Sequence, residues 1–327
     1  MRHRPLFRSG PSLPDVGLGC WQIGGGWGGD WDAGVAAEVL AAAHDAGVRF
    51  FDTADVYGGG KSEEAVGAFL KDHPGCTVAT KLGRGGGLFP DKYTEAALRA
   101  ATEASLGRLG VDRLDLTQLH CVPMEVLRRG QIFGWMRKQK DEGLIEAFGA
   151  SVESVEEGML CLEQDGLSTL QVIFNAFRQD PLDGLLGFAA ARGVGVIVRL
   201  PLASGLLTGK LKKDTSFEEG DHRGFNRDGA AFNVGETFGG LPYERGVELS
   251  ERFVEITGDA EGTPAQRALR WVLDHHAVSV VIPGASRPEQ ARQNAAASGL
   301  PRLSDEVHAE LAALWRGEVA PAVRGPR

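Results

Sequence analysis

VRFFDTADVYGGG, residues 48–60, holds the pattern on which the reading of this chain turns. Val48 to Phe51 make a short, mostly apolar run of the kind buried in a parallel sheet, and the run ends on the carboxylate of Asp52. Five residues further on, Tyr57 stands before three glycines. It is one of only three tyrosines in the chain, with Tyr93 and Tyr243. A carboxylate leaving a buried strand and a phenol on the following loop can work as an acid/base pair if a cation lies between them.

The same order of apolar run, polar residue and helical stretch recurs from one end to the other. CTVATK (76–81), LDLTQLH (114–120), IEAFGAS (145–151), LQVIFN (170–175), GVIVRL (195–200) and VSVVIPG (278–284) all read as buried strands. A weaker first strand lies around Val16 to Leu18. Helical patterns fill the intervals, among them 33–47, 62–72, 94–110 and 124–143. Ser62 with Glu63 and Glu64 predicts a capped, negatively charged helix start, and Gly47, Gly110 and Gly143 sit where helices should stop. Seven clear strands and one weak one, alternating with helices, predict an α/β fold of the (β/α)8 TIM-barrel type, as one domain over 1–327. The competing architecture is a doubly wound sheet; the strand count and the polar residues at the carboxyl ends favour the barrel. After the seventh strand, about 203–242, the chain is polar and glycine-rich without a clean period. A loop of that length in a compact barrel reads as a lid or a binding loop.

Composition narrows the function. The chain is 43% hydrophobic and 24% charged, as expected of a soluble globular protein, and its formal net charge of −9 argues against a nucleic-acid partner. Cys20, Cys76, Cys121 and Cys161 are scattered without a C-x-x-C pair, which fits a reduced, cytoplasmic protein. No apolar run is long enough for a membrane span, and MRHRPLFRSG has no signal-peptide core.

The polar residues at successive strand ends carry the chemistry: Asp52, Lys81, His120 and Ser151, with Gln171 inside the sixth strand and Asn175 at its end. In a barrel these ends converge on one face. A phenol near pKa ~10 is a poor acid at neutral pH, and a neighbouring ammonium lowers that value; a drop of about two units takes roughly 2.7 kcal/mol. Asp52 would keep Lys81 charged and oriented, and His120 would hydrogen-bond a carbonyl oxygen. Tyr57 would deliver the proton. No activated Ser or Cys is apparent, so the nucleophile is read as a hydride from a cofactor. A metal site is not expected, since His275 and His276 are adjacent and no H-x-H follows the first strand. GGGWGGDW (24–31) lacks the GK[ST] of a phosphate loop and reads as a strand-to-helix loop.

Asp52, Tyr57, Lys81 and His120, together with FDTADVYG, ATK (79–81), QLH (118–120), FGAS (148–151), PLASGLLTGK (201–210) and IPGASRPEQARQN (282–294), resemble the aldo-keto reductase superfamily over nearly the whole chain. The bacterial branch similar to potassium-channel β subunits is the better match. The resemblance implies NADP(H) bound in extended form and reversible reduction of a small-molecule aldehyde or ketone to an alcohol. It places Trp21 and Asp52 near the nicotinamide, with Ser151 and Gln171 on its carboxamide. Leu202, Ser204 and Lys210 would clasp the pyrophosphate under Arg223 of the long loop. Gly284, Ser286, Arg287, Gln290 and Asn294 would hold the adenosine half, with Arg287 on a 2′-phosphate. Two positions depart from the family: Val152 replaces the usual Asn, and Arg199 replaces the usual ring-stacking aromatic, where its guanidinium would stack or pair with a phosphate. Trp27, Trp31, Phe89, Phe225 and Phe232 are expected to wall the substrate pocket, core packing or lid anchoring being the other reading of each.

Two further functions remain open on the sequence: a catalytically quiet NADP(H)-binding regulatory subunit, and a keto-sugar reductase using the basic residues of the long loop. The intact His120 favours catalysis. The motifs do not separate a monomer from a homo-oligomer.

Overall fold

The computed structural model describes residues 1–25 and 31–327. The chain opens with an antiparallel hairpin, β1 (His3–Pro5) and β2 (Ser12–Pro14), that the sequence reading missed. Eight strands follow: β3 (Leu18–Gly19), β4 (Phe50–Asp52), β5 (Thr77–Leu82), β6 (Leu114–His120), β7 (Ile145–Ser151), β8 (Leu167–Ile173), β9 (Gly195–Arg199) and β10 (Val278–Val281). Each pairs in parallel with the next in chain order. Residues flanking the ends close the ring. Val16 pairs with Val281 and Gly19 with Gly284, and the Gly17 amide donates to the Val281 carbonyl at 2.8 Å. The expected (β/α)8 barrel is therefore the fold, with a nearly closed sheet.

Register puts the polar strand ends at one level, Lys81 opposite Gln118 and His120 and Gln171 both opposite Ser151. At the other end the hairpin stops the barrel. Leu6 and Leu13 pack with the barrel-interior residues Phe50, Ala79, Leu116, Ala147, Ile197 and Val280. The larger core lies between the strands and the surrounding helices.

The helices are α1 (Ala33–Asp45), α2 (Lys61–Leu70), α3 (Glu95–Leu109), α4 (Met124–Arg129), α5 (Gln131–Asp141), α6 (Val155–Leu162), α7 (Leu185–Arg192), α8 (His222–Phe225), α9 (Tyr243–Ile256), α10 (Pro264–Leu273), α11 (Pro288–Ala296) and α12 (Asp305–Leu314). Two expectations need correction. The stretch 124–143 is two helices broken at Gly130. Ser62 is not a cap: α2 starts from Gly60 with no side-chain cap, and Ser62 is buried in its first turn, donating to the Cys20 carbonyl at 2.7 Å. Glu63 is buried too, tying Thr80 of β5 (2.5 Å) to Arg108 of α3 (2.6 Å). These buried groups bind the start of α2 to the barrel wall, which fixes the loop carrying Tyr57. Of GGGWGGDW, residues 26–30 lie outside the described residues.

The long segment after β9, the seventh barrel strand, is packed rather than structureless. It holds α8 and short 3-10 turns at Ala203–Thr208, Val234–Glu236 and Phe238–Gly240, with Asp221, Asn226, Glu236, Thr237 and Phe238 buried. The last residues of the chain fasten it. Arg324 ion-pairs with Asp228 at 2.7 Å, and its amide donates to the Gly240 carbonyl at 3.1 Å. No helix among the described residues is long and apolar enough to cross a membrane.

Gly195 marks how tightly the hairpin seats: a Cβ there would lie 1.5 Å from the Leu6 carbonyl oxygen. Gly195→Ala is expected to destabilise the fold by more than about 3 kcal/mol, because backbone itself must move. Urea denaturation would show this as a lowered midpoint with the slope kept.

Candidate active site

The carboxyl ends of the strands and the long segment enclose a cavity of about 770 Å3. Its floor is a chain of hydrogen bonds through Lys81, which is buried at the end of β5. Lys81 Nζ donates to Asp52 Oδ2 at 2.6 Å, to the Thr53 carbonyl at 2.8 Å and to the Tyr57 hydroxyl at 3.1 Å. The other Asp52 oxygen accepts from Gln171 (2.8 Å) and Gln118 (3.1 Å). Gln118 is a site residue that reading by strand ends overlooked. It lies two positions before His120, on the same face of β6, which is the signal that could have found it.

Tyr57 is aimed by its own loop. The next residue, Gly58, has φ +60, and a Cβ on it would stand 2.0 Å from the Gly24 carbonyl oxygen, so only glycine lets the loop turn here. Trp21 faces the phenol ring (centroids 6.0 Å apart) and His120 meets it edge-on at 5.9 Å. The cation, carboxylate, phenol and imidazole expected at this face are thus brought together.

The expected direction of the Tyr57 pKa is overturned. Burial pushes the phenol above its ordinary value and outweighs the lowering pull of Lys81. Burial also works against the Lys81 ammonium, but Asp52 and Tyr57 overcome it and hold that pKa above the usual lysine value. His120 is driven well down by burial, then by Lys81, Arg84 and Arg199, so the ring is neutral near pH 7; its Nδ1 is buried without a partner. Burial raises the thiols of Cys121 and Cys161 to about 12, which leaves neither a ready nucleophile.

The other expected residues fall into two groups. Trp21, Gln171, Arg199, Leu202, Ser204 and Lys210 line the cavity, and so do Arg223, Gly284, Ser286, Arg287, Gln290 and Asn294. Ser151 does not: it is buried behind the wall, donating to Gln171 Oε1 at 3.2 Å. Asn175 lies beyond the end of β8, bonding the Leu200 carbonyl at 2.9 Å. Ser204 Oγ accepts from the Phe238 amide at 3.1 Å, and Arg223 is held by Asp221 over the ring of Phe217. On the far side Gln290 Oε1 accepts from both the amide and the hydroxyl of Ser286 (2.8 and 3.0 Å), and Arg287 is exposed at the start of α11. Of the aromatics expected to wall the pocket, Phe232 does so. Phe89 and Phe225 are turned out to solvent, and Trp31 is capped by Lys61 with its indole N–H on the Ile23 carbonyl. Trp27 lies outside the described residues.

Arg199 is held on the cavity wall by protein groups. Its Nη2 donates to the Val152 carbonyl at 3.0 Å and its Nη1 lies 3.3 Å from Glu236. Arg84 grips the same carboxylate at 2.9 and 3.1 Å. Burial opposes the Glu236 charge, but Arg199 and Arg84 outweigh it and hold the carboxyl down at about 2. Glu153, 3.7 Å from Arg84, is pushed up to about 7 by burial and then by the charge of Glu236. Arg84, Glu153 and Glu236 carried no signal in the sequence, because each comes from a different loop. Backbone strain gathers here as well: Cys121, Leu200, Ala203, Ser204 and Phe238 all have φ between 47° and 54°. Such strain in non-glycine residues concentrates at functional sites.

Matches to known proteins give the family. Residues 15–316 match the aldo/keto reductase family, and the chain belongs to that family. The NADH-specific methylglyoxal reductase of Escherichia coli is 29% identical, over 93% of this chain and 95% of that one. Among solved structures, the glycerol dehydrogenase from Gluconobacter oxydans has a TM-score of 0.77 at 29% identity, covering 99% of this chain and 98% of its own. An aldo-keto reductase from Klebsiella pneumoniae in complex with NADPH has a TM-score of 0.70 at 25% identity, with 96% and 95% covered. The chain is an oxidoreductase of this family.

The raised pKa of Glu153 has a consequence for stability. The folded chain holds this proton more tightly than the unfolded one, so the stability it confers is present in full below the unfolded value and lost as pH rises through about 7. Glu153→Gln is expected to gain on the order of 2 kcal/mol over the parent between pH 4.5 and pH 8. Urea midpoints at the two pH values test this; an equal difference at both would refute it.

Proposed function

We propose that this chain is an NADP(H)-dependent carbonyl reductase, a single barrel domain in which Tyr57 gives the proton that completes reduction of an aldehyde or ketone to an alcohol. The observation that carries the reading is the bonded chain Asp52–Lys81–Tyr57, with His120 across the phenol, at the floor of a cavity. The cofactor, when bound, supplies the hydride to the carbonyl carbon.

The protein's own part is positional and electrostatic. A carbonyl oxygen set between the Tyr57 hydroxyl and the neutral imidazole of His120 receives two hydrogen bonds. Negative charge growing on that oxygen is met by the Tyr57 proton, with the Lys81 ammonium directly behind. The high pKa of the phenol keeps it protonated at neutral pH, and Lys81 steadies the phenolate left after transfer. Asp52 keeps Lys81 charged in a site where a lone ammonium would lose its proton. Gln118 and Gln171 fix the carboxylate that does so.

The cavity also fits the cofactor in shape and donor set. Trp21 and Gln171 would flank the nicotinamide, with Ser151 acting through Gln171 rather than by direct contact. Leu202, Ser204, Lys210 and Arg223 would hold the pyrophosphate; Arg199 stands between that stretch and Tyr57. Ser286, Arg287, Gln290 and Asn294, with the backbone at Gly284, would hold the adenosine half. The Klebsiella structure, which holds NADPH, supports the phosphorylated cofactor, while the Escherichia coli relative is NADH-specific. Arg287 is where this chain would decide between them.

Two experiments test the reading. With NADPH and a panel of aldehydes, absorbance at 340 nm is expected to fall steadily for the parent and at least about a thousandfold more slowly for Tyr57→Phe, with NADPH binding retained. Tight NADPH binding with no turnover of any carbonyl would instead favour a regulatory subunit. Arg287→Ala is expected to weaken NADPH roughly tenfold and leave NADH unchanged; equal loss of both would remove Arg287 as the discriminator.

A further inference from the structure

Resting on the reductase reading, we infer that the carbonyl compound taken by this cavity carries a carboxylate, held by Arg84 together with Arg199. The two guanidiniums line the cavity from opposite sides of the strand that ends in His120: Arg84 follows β5, and Arg199 ends β9. Two carboxylates line the cavity. Asp52 is matched by Lys81 at 2.6 Å, which leaves Glu236 on the cavity wall against both arginines, with Glu153 behind it 3.7 Å from Arg84. While Glu153 holds its proton, the balance at this end of the cavity is positive.

Donors remain for a guest. A guanidinium has five N–H groups, and among the described residues Arg84 commits only Nη1 to hydrogen bonds, on the two oxygens of Glu236 and on Cys121 Sγ at 3.8 Å. Its Nη2 is 3.7 Å from Glu153, beyond hydrogen-bond reach. The ring of Phe232 lies 5.5 Å from the Arg84 guanidinium, an arrangement that leaves in-plane donors free while excluding water. A neutral aliphatic guest would strip water from these donors and offer nothing in return; a carboxylate replaces it.

A cation is the wrong guest for the same cluster. Cys121, Glu153 and Glu236 bring a thiol and two carboxylates within ligand spacing, but the two guanidiniums lie on these groups and repel a metal ion. The neighbouring groups that could change the balance are few. His120 is neutral, the Cys121 thiol and the Tyr93 phenol hold their protons, and Glu157 turns its carboxylate to the amides of Glu153 and Ser154. Asp55, on the loop before Tyr57, is pushed up to about 6 by burial and then by Glu63; of the carboxylates at ion-pair distance from Arg84 and Arg199, Glu153 is the one raised to about 7. Its ionised form competes for Arg84, so binding of an anionic substrate takes up a proton and strengthens as pH falls from 8 to 6.

The test compares 4-oxobutanoate with its neutral methyl ester, using NADPH at fixed ionic strength. The ratio of their kcat/KM values is expected to favour the acid by at least about tenfold in the parent. It should fall close to one in Arg84→Met and recover in part in Arg84→Lys, whatever the absolute rates. It should also rise as pH drops from 8 to 6 in the parent and lose that slope in Glu153→Gln. Reduction of both aldehydes with a ratio near one, or a ratio untouched in Arg84→Met, overturns the inference and leaves the reductase reading standing. In that case Arg84 serves only to fasten Glu236. Turnover of neither aldehyde, nor of any other carbonyl, removes the reductase reading and this inference together.

Discussion

A buried ammonium and a buried carboxylate 2.6 Å apart, Lys81 and Asp52, set the terms for the rest of the site. Neither is tolerable in the barrel mouth alone, and losing one partner of such a pair typically costs about 3–5 kcal/mol. The barrel meets the demand by bringing four strands to one level. β4 supplies the carboxylate and β5 the ammonium, while β6 and β8 supply the Gln118 and Gln171 amides that occupy the second oxygen. Lys81 has two further donors: one ends on the Thr53 carbonyl and the other on the Tyr57 hydroxyl. The phenol is therefore placed by the same bonds that make the charge pair bearable, so stability and chemistry draw on one set of atoms.

What could be read from residue order was whatever repeats locally. Four barrel strands, β4, β6, β7 and β9, close on a polar residue, and Lys81 stands one residue before the end of β5, which is why Asp52, Lys81 and His120 could be named before their positions were known. Boundaries were less legible. Phe174 and Asn175 continue the apolar pattern of the sixth barrel strand, yet the strand ends at Ile173, because Asn175 turns to bond the Leu200 carbonyl. Ser62 looked like a helix cap because its residue type favours caps; tertiary burial claimed its hydroxyl for the Cys20 carbonyl instead.

The substrate end of the cavity was largely illegible, for a different reason. Arg84, Glu153 and Glu236 come from three separate loops and Arg199 from the end of β9, and no spacing links them. The one clue, an arginine where relatives place an aromatic ring, pointed to the cofactor; in the fold that arginine has turned to Glu236. The Tyr57 pKa failed on paper because a contact argument counts the neighbouring ammonium but not the depth at which the phenol lies. Exposure misled in the same way: Phe89, on the loop after β5, and Phe225, at the end of α8, turn their rings to water.

Arg324 lies outside the stretch matched by the family, which ends at residue 316, yet it bonds Asp228, the Arg227 carbonyl and the Gly240 carbonyl of the long segment over the cavity. Arg178, at the end of the sixth barrel strand's loop, reaches the same tail through the Pro326 carbonyl. The roof of the cavity is thus fastened from a part of the chain that lies past the family match of residues 15–316. Two members with identical barrels and identical catalytic residues can differ in how that roof is fastened, through the eleven residues 317–327 that an alignment of shared motifs would discard.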